Sequence, residues 1–353
     1  MNHKPLRLSP RWAAVAGGMV LLAATAAATL TSCGCGASSA QQPAEPPAPA
    51  PAPPPVPTFD AARALDLIRT QCSFGPRTPG SEAHDRMLAW LQERLRPLTN
   101  RLLVQEFSAR TPFSGPYDFA NVLATAGPQT GEPLLLAAHW DSRPVADQDP
   151  DPANRSKPVP GADDGASGVA VLLELARLFH AQPPPRPIVL AFLDAEDSGK
   201  AGSTMPYMGY CIGSAYLAAH WPADWPKPAE GILVDLVGGD GKPVDRIPMV
   251  PGIHRNTTFE LGPEGHSLDA NPQLVNALWS LAEQLGHAAF VRQTCGYITD
   301  DHVPLIVAGI KMVDIIHVFP LVWHTVDDTP EHCSADSLHQ VGDTLVHYIY
   351  GRE

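Results

Sequence analysis

The feature that most constrains the fold is the run from Ile188 to Asp197, IVLAFLDAED. Six apolar residues stop abruptly at Asp194, Glu196 and Asp197. A short, continuous apolar run fits a strand buried on both faces, in the middle of an α/β sheet. Carboxylates crowded at its C-terminal end stand where open α/β sheets place their active sites. Taken alone, a strand that leaves the core and meets solvent would read the same way. Other apolar runs ending similarly shift the balance. LLLAA (134–138) is followed at once by His139-Trp140-Asp141, and GILVDLVGG (231–239) carries a lone Asp235. A buried strand tolerates a lone carboxylate only when something pairs with it.

The chain has 353 residues, 44% of them hydrophobic, enough for a sizeable core in one large domain or two small ones. Its formal charge is −13, with 24 basic and 37 acidic residues. No basic face shows, which argues against a nucleic-acid partner. Acidic character also fits poorly with peripheral attachment to anionic lipid, so soluble chemistry is expected.

The N-terminus reads as separate from the fold. Lys4, Arg7 and Arg11, with no acid before Ala13, precede an apolar segment running to Leu30, the layout of a secretory signal. The segment ends in Leu30-Thr31-Ser32-Cys33, which resembles the lipobox of bacterial lipoproteins, where the Cys receives lipid and becomes the first mature residue. An uncleaved anchor is the alternative, since eighteen residues lie at the short limit for spanning. Residues 37–57 are almost entirely Ala, Pro, Gln and Ser, with nine prolines from Pro43 to Pro57, and predict an extended tether. The expected organisation is a signal over 1–32, a tether over 33–57 and a single folded body over 58–353. The protein is then exported, held at the membrane through lipidated Cys33 on the periplasmic or outer-membrane side, and monomeric. Six cysteines form no CxxC pair, which argues against a structural zinc ribbon. Cys72, Cys211, Cys295 and Cys333 could pair in an oxidising compartment, with the connectivity left open.

Within the body, periodicity predicts helices over 60–71, from a Ser81 cap to Pro97, over 214–220, from Asn271-Pro272 to Gly286, and over 336–350. A strong amphipathic helix follows GADDGASG (161–168) through Val171, Leu172, Leu175, Ala176 and Phe179. Capping of that helix is the plain reading of Asp163 or Asp164. Strands are expected over 102–107, 118–124, 134–138, 188–193, 231–239 and 311–319. No internal repeat is visible. Apolar strands or helix starts thereby present His139, Asp164, Glu196 with Asp197, Asp235, and His324 after Trp323. Imidazole and carboxylate together are ligands of zinc and other borderline divalent ions. Two histidines, each closing an apolar run next to an Asp, are better explained by metal than by isolated surface roles.

HWDS, PGADDGASG, FLDAED, LVDLVGG, DDHVP and VWHTVDD, in this order, resemble the zinc aminopeptidase superfamily and, within it, the animal-type glutaminyl cyclases. The match spans roughly residues 60–350 and is specific as an ordered set. The resemblance implies a single α/β domain with a central mixed, mostly parallel sheet flanked by helices. It implies that Asp164, Asp197 and His324 hold a catalytic zinc and that Glu196 is the general acid/base. His139 and Asp235 match the positions completing a second metal site in aminopeptidases. In the cyclases the Asp235 position instead joins a hydrogen-bond network with Asp300 and the catalytic Glu. Trp323 is expected to line the pocket. The implied reaction converts the N-terminal Gln of peptides or proteins to pyroglutamate with release of ammonia. An aminopeptidase of the same superfamily is the alternative, and an inactive binding module a remote third. Three departures bear on substrate fit. Asp197 stands where the family usually has Glu. A loop tryptophan of the animal enzymes is unmatched, leaving Tyr207 or Tyr210 to substitute. Their site-flanking cysteine pair is missing, with Ala138 at one position.

Overall fold

The computed structural model describes residues 55–244, 247 and 258–351. The signal and nearly all of the tether lie outside the described residues. Among the described residues no helix is long and apolar enough to cross a membrane. Pro54–Glu353 forms one compact unit.

The first elements of the described residues are helices α1 (Ala61–Ser73) and α2 (Glu82–Leu95), the latter capped by Ser81, whose hydroxyl oxygen accepts the His84 N–H. Strands β1 (Arg101–Ala109), β2 (Tyr117–Ala126) and β3 (Leu134–His139) follow, then helix α3 (Ala166–Ala181) and strand β4 (Ile188–Leu193). Helix α4 (Ile212–Ala219), strand β5 (Glu230–Asp235) and helices α5 (Gly265–Ala270), α6 (Pro272–Leu285) and α7 (His302–Val307) come next. Strand β6 (Lys311–Ile316) and helix α8 (Ala335–Tyr350) complete it. The six strands form one sheet in the order β1-β2-β4-β3-β5-β6. β1–β2 and β2–β4 pair antiparallel, and the β4-β3-β5-β6 half is parallel.

Alternation along each strand divides the core in two. Leu134, Leu136, Ala138, Leu190, Phe192, Ile232 and Val234 face one side, packed with α1, α2, α3, α6 and α8. Leu135, Ala137, Val189, Ala191, Leu193 and Leu233 face the other, against Leu217 of α4 and Leu305 of α7. The continuous apolar strands therefore arise as expected, because both faces are covered.

Two expectations change. The helix expected to be amphipathic, α3, is buried almost all round, because it lies on the sheet and is itself covered by α1 and α8. Its N-cap is Gly165, with no side-chain cap, so neither Asp163 nor Asp164 caps it. The Asp235 strand also ends sooner than expected. Asp235 is the last residue of β5, and Leu236 turns the chain away at φ 51°. Asp235 therefore does not interrupt a buried strand but terminates one.

The α3–sheet contact depends on Gly168. A Cβ there would lie 2.2 Å from the Val234 carbonyl oxygen and 2.9 Å from Ala138 Cβ. Gly168→Ala would gain about 1 kcal/mol of helix propensity. The collision is with backbone, which cannot swing away, and overpacking of this kind costs about 1–3 kcal/mol or more. The expected outcome is net destabilisation with a lowered urea midpoint. An unchanged or raised midpoint would show that α3 does not pack this closely.

Candidate active site

All four parallel strands end at one edge, as the pairing of His139 with Leu193 and of Asp235 with Ile316 requires. The chain runs from β3 through α3 to β4 on one side, then crosses to β5 on the other. Ligand crevices of open α/β sheets form at such a switch in direction. His139 closes β3, Asp164 immediately precedes Gly165 and α3, Glu196 and Asp197 follow β4, Asp235 closes β5, and His324 follows β6. All six are buried.

Asp164 is the meeting point. Its Oδ1 lies 3.1 Å from His139 Nε2 and its Oδ2 lies 3.6 Å from His324 Nε2. His139 Nε2 is also 3.1 Å from Asp235 Oδ1, and His324 Nε2 is 3.3 Å from Asp197 Oδ1. Two triads result, Asp164-Asp197-His324 and His139-Asp164-Asp235, each with its donor atoms within 4.8 Å of one another. The resemblance had assigned these residues to two adjacent metal positions, and the fold brings both sets together.

Further carboxylates aim the ligands. Asp141 Oδ1 lies 3.3 Å from His139 Nδ1, and Asp147 Oδ1 lies 3.4 Å from His324 Nδ1, so both rings turn Nε2 inward. Asp141 also accepts the N–H groups of Glu196 and Asp197, tying the end of β3 to the loop after β4. Asp328 accepts the N–H groups of Asp163 and Asp164. Fully buried Arg143 bridges Asp147 and Asp197, donating to Asp197 Oδ1 at 3.0 Å. Such partners fix the orientation of metal ligands and set their affinity. The sequence reading missed Asp141, Arg143, Asp147 and Asp328. Asp141 and Asp328 lie inside the motifs HWDS and VWHTVDD, and Arg143 directly follows the first, so proximity to the ligands was the available signal.

The donor set suits zinc. It offers imidazole nitrogen and carboxylate oxygen only, with Asp197 Oδ2 buried and, among the described residues, without a hydrogen-bond partner. Asp197, one methylene shorter than Glu, still reaches His324 and Asp164. Carboxylates outnumber cations here, and the charges resist ionising together. Burial first, then Asp197 and Asp300, push Glu196 well above the usual carboxylate range. Burial, Asp235 and Asp301 do the same to Asp300. Burial and Asp197 raise Asp164 to about 6. Asp197 is the exception: burial opposes its ionisation, but His324 and Arg143 outweigh it and lower its pKa. Asp300 reaches Glu196, the two grouped with Cys211 within 4.8 Å, and the Cys211 thiol donates to Glu196 Oε1 at 3.7 Å. Cys72, Cys211, Cys295 and Cys333 all stand as free thiols.

A cavity of about 230 Å³ opens onto Asp164, Glu196, Asp197, Asp235, Asp300 and His324. Trp323 lines it and stacks on His324, ring centroids 3.7 Å apart. Tyr210 also lines it, under the Arg143 guanidinium at 5.4 Å. Tyr207 does not line the cavity, a correction to the expected pocket. It stands at φ 47° in a 3-10 turn where the chain doubles back, so only Tyr210 reaches inward. Phe319, Tyr297 and Met208 also line the cavity, beside Leu236, Ile298, Ile316 and Val318, and were not expected. Left-handed backbone gathers around this edge: Ala195, Cys211, Leu236, Phe319 and His324 have φ between 51° and 57°. Each such non-glycine residue costs of order 1–3 kcal/mol, which the surrounding packing must offset.

The model of Peptidase family M28 matches residues 121–349. A solved glutaminyl cyclase of Bacteroides thetaiotaomicron, bound to N-acetylhistamine, is similar at 31% identity and a TM-score of 0.76, covering 85% of this chain and 100% of that one. A leucine aminopeptidase precursor of the same organism is equally similar, at 32% identity and 0.76, covering 85% and 99%. The glutaminyl-peptide cyclotransferase-like protein of Mus musculus is 28% identical over 293 residues, 77% of this chain and 71% of that protein.

If Arg143 holds the Asp197–His324 side of the site, Arg143→Ala should weaken zinc binding about 10- to 100-fold, the usual cost of losing such a partner. Chelator competition would measure this without any substrate. Unaltered affinity would mean that Arg143 only neutralises charge.

Proposed function

The chain belongs to peptidase family M28, and on that premise we propose that it is a zinc-dependent glutaminyl-peptide cyclotransferase. It converts N-terminal glutamine of peptides and proteins to pyroglutamate with release of ammonia. The observation that carries this choice within the family is Asp300, a buried carboxyl within reach of Glu196 at the foot of a pocket walled by Trp323. Similarity to solved glutaminyl cyclases supports the same reading.

Asp164, Asp197 and His324 would hold the catalytic zinc, and His139 with Asp235 could complete a second position through the shared Asp164. A zinc ion held by these residues would supply Lewis-acid polarisation of the substrate's γ-amide carbonyl. Trp323 and Tyr210 confine the small glutamine side chain so that its α-amine faces the amide carbon, an arrangement that supplies much of the rate. Glu196 takes a proton from the attacking α-amine as the new C–N bond forms. It returns that proton to the γ-nitrogen as the old C–N bond breaks and ammonia leaves. No net proton is gained or lost. A raised Glu196 pKa suits a group that both accepts and donates, and burial first, then Asp197 and Asp300, keep it raised.

Purified residues 58–353 should release ammonia from Gln-initiated peptides and leave Leu- or Ala-initiated ones nearly intact. Glu196→Gln should lower turnover at least ~100-fold with zinc retained, and Asp300→Ala should depress cyclisation sharply. Free leucine released faster than ammonia from matched peptides would instead favour the aminopeptidase that the His139-Asp164-Asp235 triad permits.

We also propose export as a lipoprotein, a reading that rests on the Leu30-Thr31-Ser32-Cys33 segment and the Pro-rich stretch after it. Mass spectrometry of the membrane fraction should find acylated Cys33 as the first residue. Recovery of the exported protein with Met1 intact would favour an uncleaved anchor.

A further inference from the structure

Behind Asp300 lies a second layer of buried titratable groups that the reaction above does not use: Glu264, His302 and Asp314. Glu264 precedes α5 and is surrounded by donors. Its Oε1 accepts the N–H groups of His266 and Ile298, and its Oε2 accepts the Ser267 N–H and hydroxyl. His302 Nε2 also lies 3.1 Å from Oε2. Burial opposes ionisation of Glu264, but the hydrogen bond to His302 and these backbone donors outweigh it and hold the pKa at about 2. The carboxylate is therefore ionised and can only accept. His302 Nε2 must carry a hydrogen.

Burial lowers the His302 pKa, which favours the neutral ring. A neutral imidazole with hydrogen on Nε2 has a bare lone pair on Nδ1. That lone pair looks at Asp314 Oδ2, 3.5 Å away at the outer edge of hydrogen-bond range. Among the described residues, neither His302 Nδ1 nor either Asp314 carboxyl oxygen has another hydrogen-bond partner. The Asp314 backbone is fixed separately, its N–H donated to the same Ser267 hydroxyl that donates to Glu264. Two acceptors facing each other in a dry interior repel unless a proton lies between them. We propose that Asp314 stands as a neutral acid donating to His302 Nδ1, and that it acts as a positioning residue for Asp300. Groups from Asp300, His302 and Asp314 lie within 4.8 Å of one another, and Asp300 in turn reaches Glu196. Crowding agrees with this: burial, then Asp300, Asp235, Glu264 and Cys295, all disfavour an Asp314 anion. With Asp314 neutral, the carboxyl nearest Asp300 on this side adds no charge. Asp300 is then free to share a proton with the groups around Glu196.

The catalytic half of this inference rests on the cyclase reading, while the hydrogen bond itself does not. Asparagine matches aspartic acid in shape and can donate from its amide, so Asp314→Asn should keep turnover within about threefold of wild type. Asp314→Ala removes the donor and should lower kcat about 10-fold at little-changed KM, the equivalent of one buried hydrogen bond. It should also move the acidic limb of the pH profile, which Asn should not. Independently, 15N-histidine spectra of the intact domain should show His302, assigned by the signal lost in His302→Gln, with hydrogen on Nε2 and none on Nδ1. If Asp314→Asn loses as much turnover as Asp314→Ala, an ionised carboxylate is needed and the proposal fails. It also fails if Asp314→Ala leaves kcat and the pH profile unchanged, or if His302 carries hydrogen on both nitrogens. A wild-type protein that forms no pyroglutamate would overturn the cyclase reading and leave the His302 spectrum to decide the hydrogen bond.

Discussion

Everything at this edge of the sheet follows from the convergence of two imidazoles on one carboxylate. Asp164 offers one oxygen to His139 and the other to His324, with Asp235 and Asp197 on the flanks. So many buried carboxylates cannot all ionise without cations, since desolvation and mutual repulsion both oppose it. Part of the compensation comes from the protein. Arg143 pairs with both Asp147 and Asp197, and His324 first, then Arg143, lowers the Asp197 pKa despite its complete burial. The remainder suits a divalent ion, whose usual ligands are imidazole nitrogens and carboxylate oxygens such as these.

Holding that geometry shapes the surrounding chain. His139 and Asp235 are placed by strand ends, where pairing with Leu193 and Ile316 fixes their register in the sheet. Glu196, Asp197 and His324 lie on loops, and there the protein uses left-handed backbone and carboxylate clamps instead. Ala195 and Leu236 turn the chain immediately after β4 and β5, and His324 itself is left-handed. Asp141 and Asp328 each take two successive backbone N–H groups, so each loop is anchored by main chain as well as by packing. Strain and clamping together give a site that is organised before substrate arrives, which is what orientation-driven ring closure needs.

The same logic extends inward. Carboxyls arranged in layers, from Asp164 through Glu196 and Asp300 to Asp314, can coexist only if protons and cations alternate with them. His302 and the fully bonded Glu264 anchor the far end of that series. The burial that makes the site costly is also what tunes it. Burial first, then Asp197 and Asp300, hold Glu196 well above the usual carboxylate range.

Much of this was legible in the sequence. Continuous apolar runs identified β3, β4 and β5, because strands covered on both faces have no polar side to show. Residues closing those runs, His139, Glu196, Asp197 and Asp235, marked the functional edge, since a carboxylate or imidazole has little other reason to end a buried strand there. What the sequence by itself could not determine was anything set by packing between distant segments. Periodicity suggested an exposed face for α3, and only the tertiary structure, with α1 and α8 laid over it, buries that face. Tyr207 and Tyr210 were equivalent candidates until the turn at 206–209 sent one inward and the other away. Arg143, Asp147, Asp314 and His302 act through contacts made across the chain, and no local pattern encodes such a contact. Sequence fixes which groups stand at the ends of buried strands, because burial is a local property of the apolar run. Which groups then touch, and which must share a proton, is decided by the fold, because those energies fall away within a few ångströms and depend on distances that only tertiary packing sets.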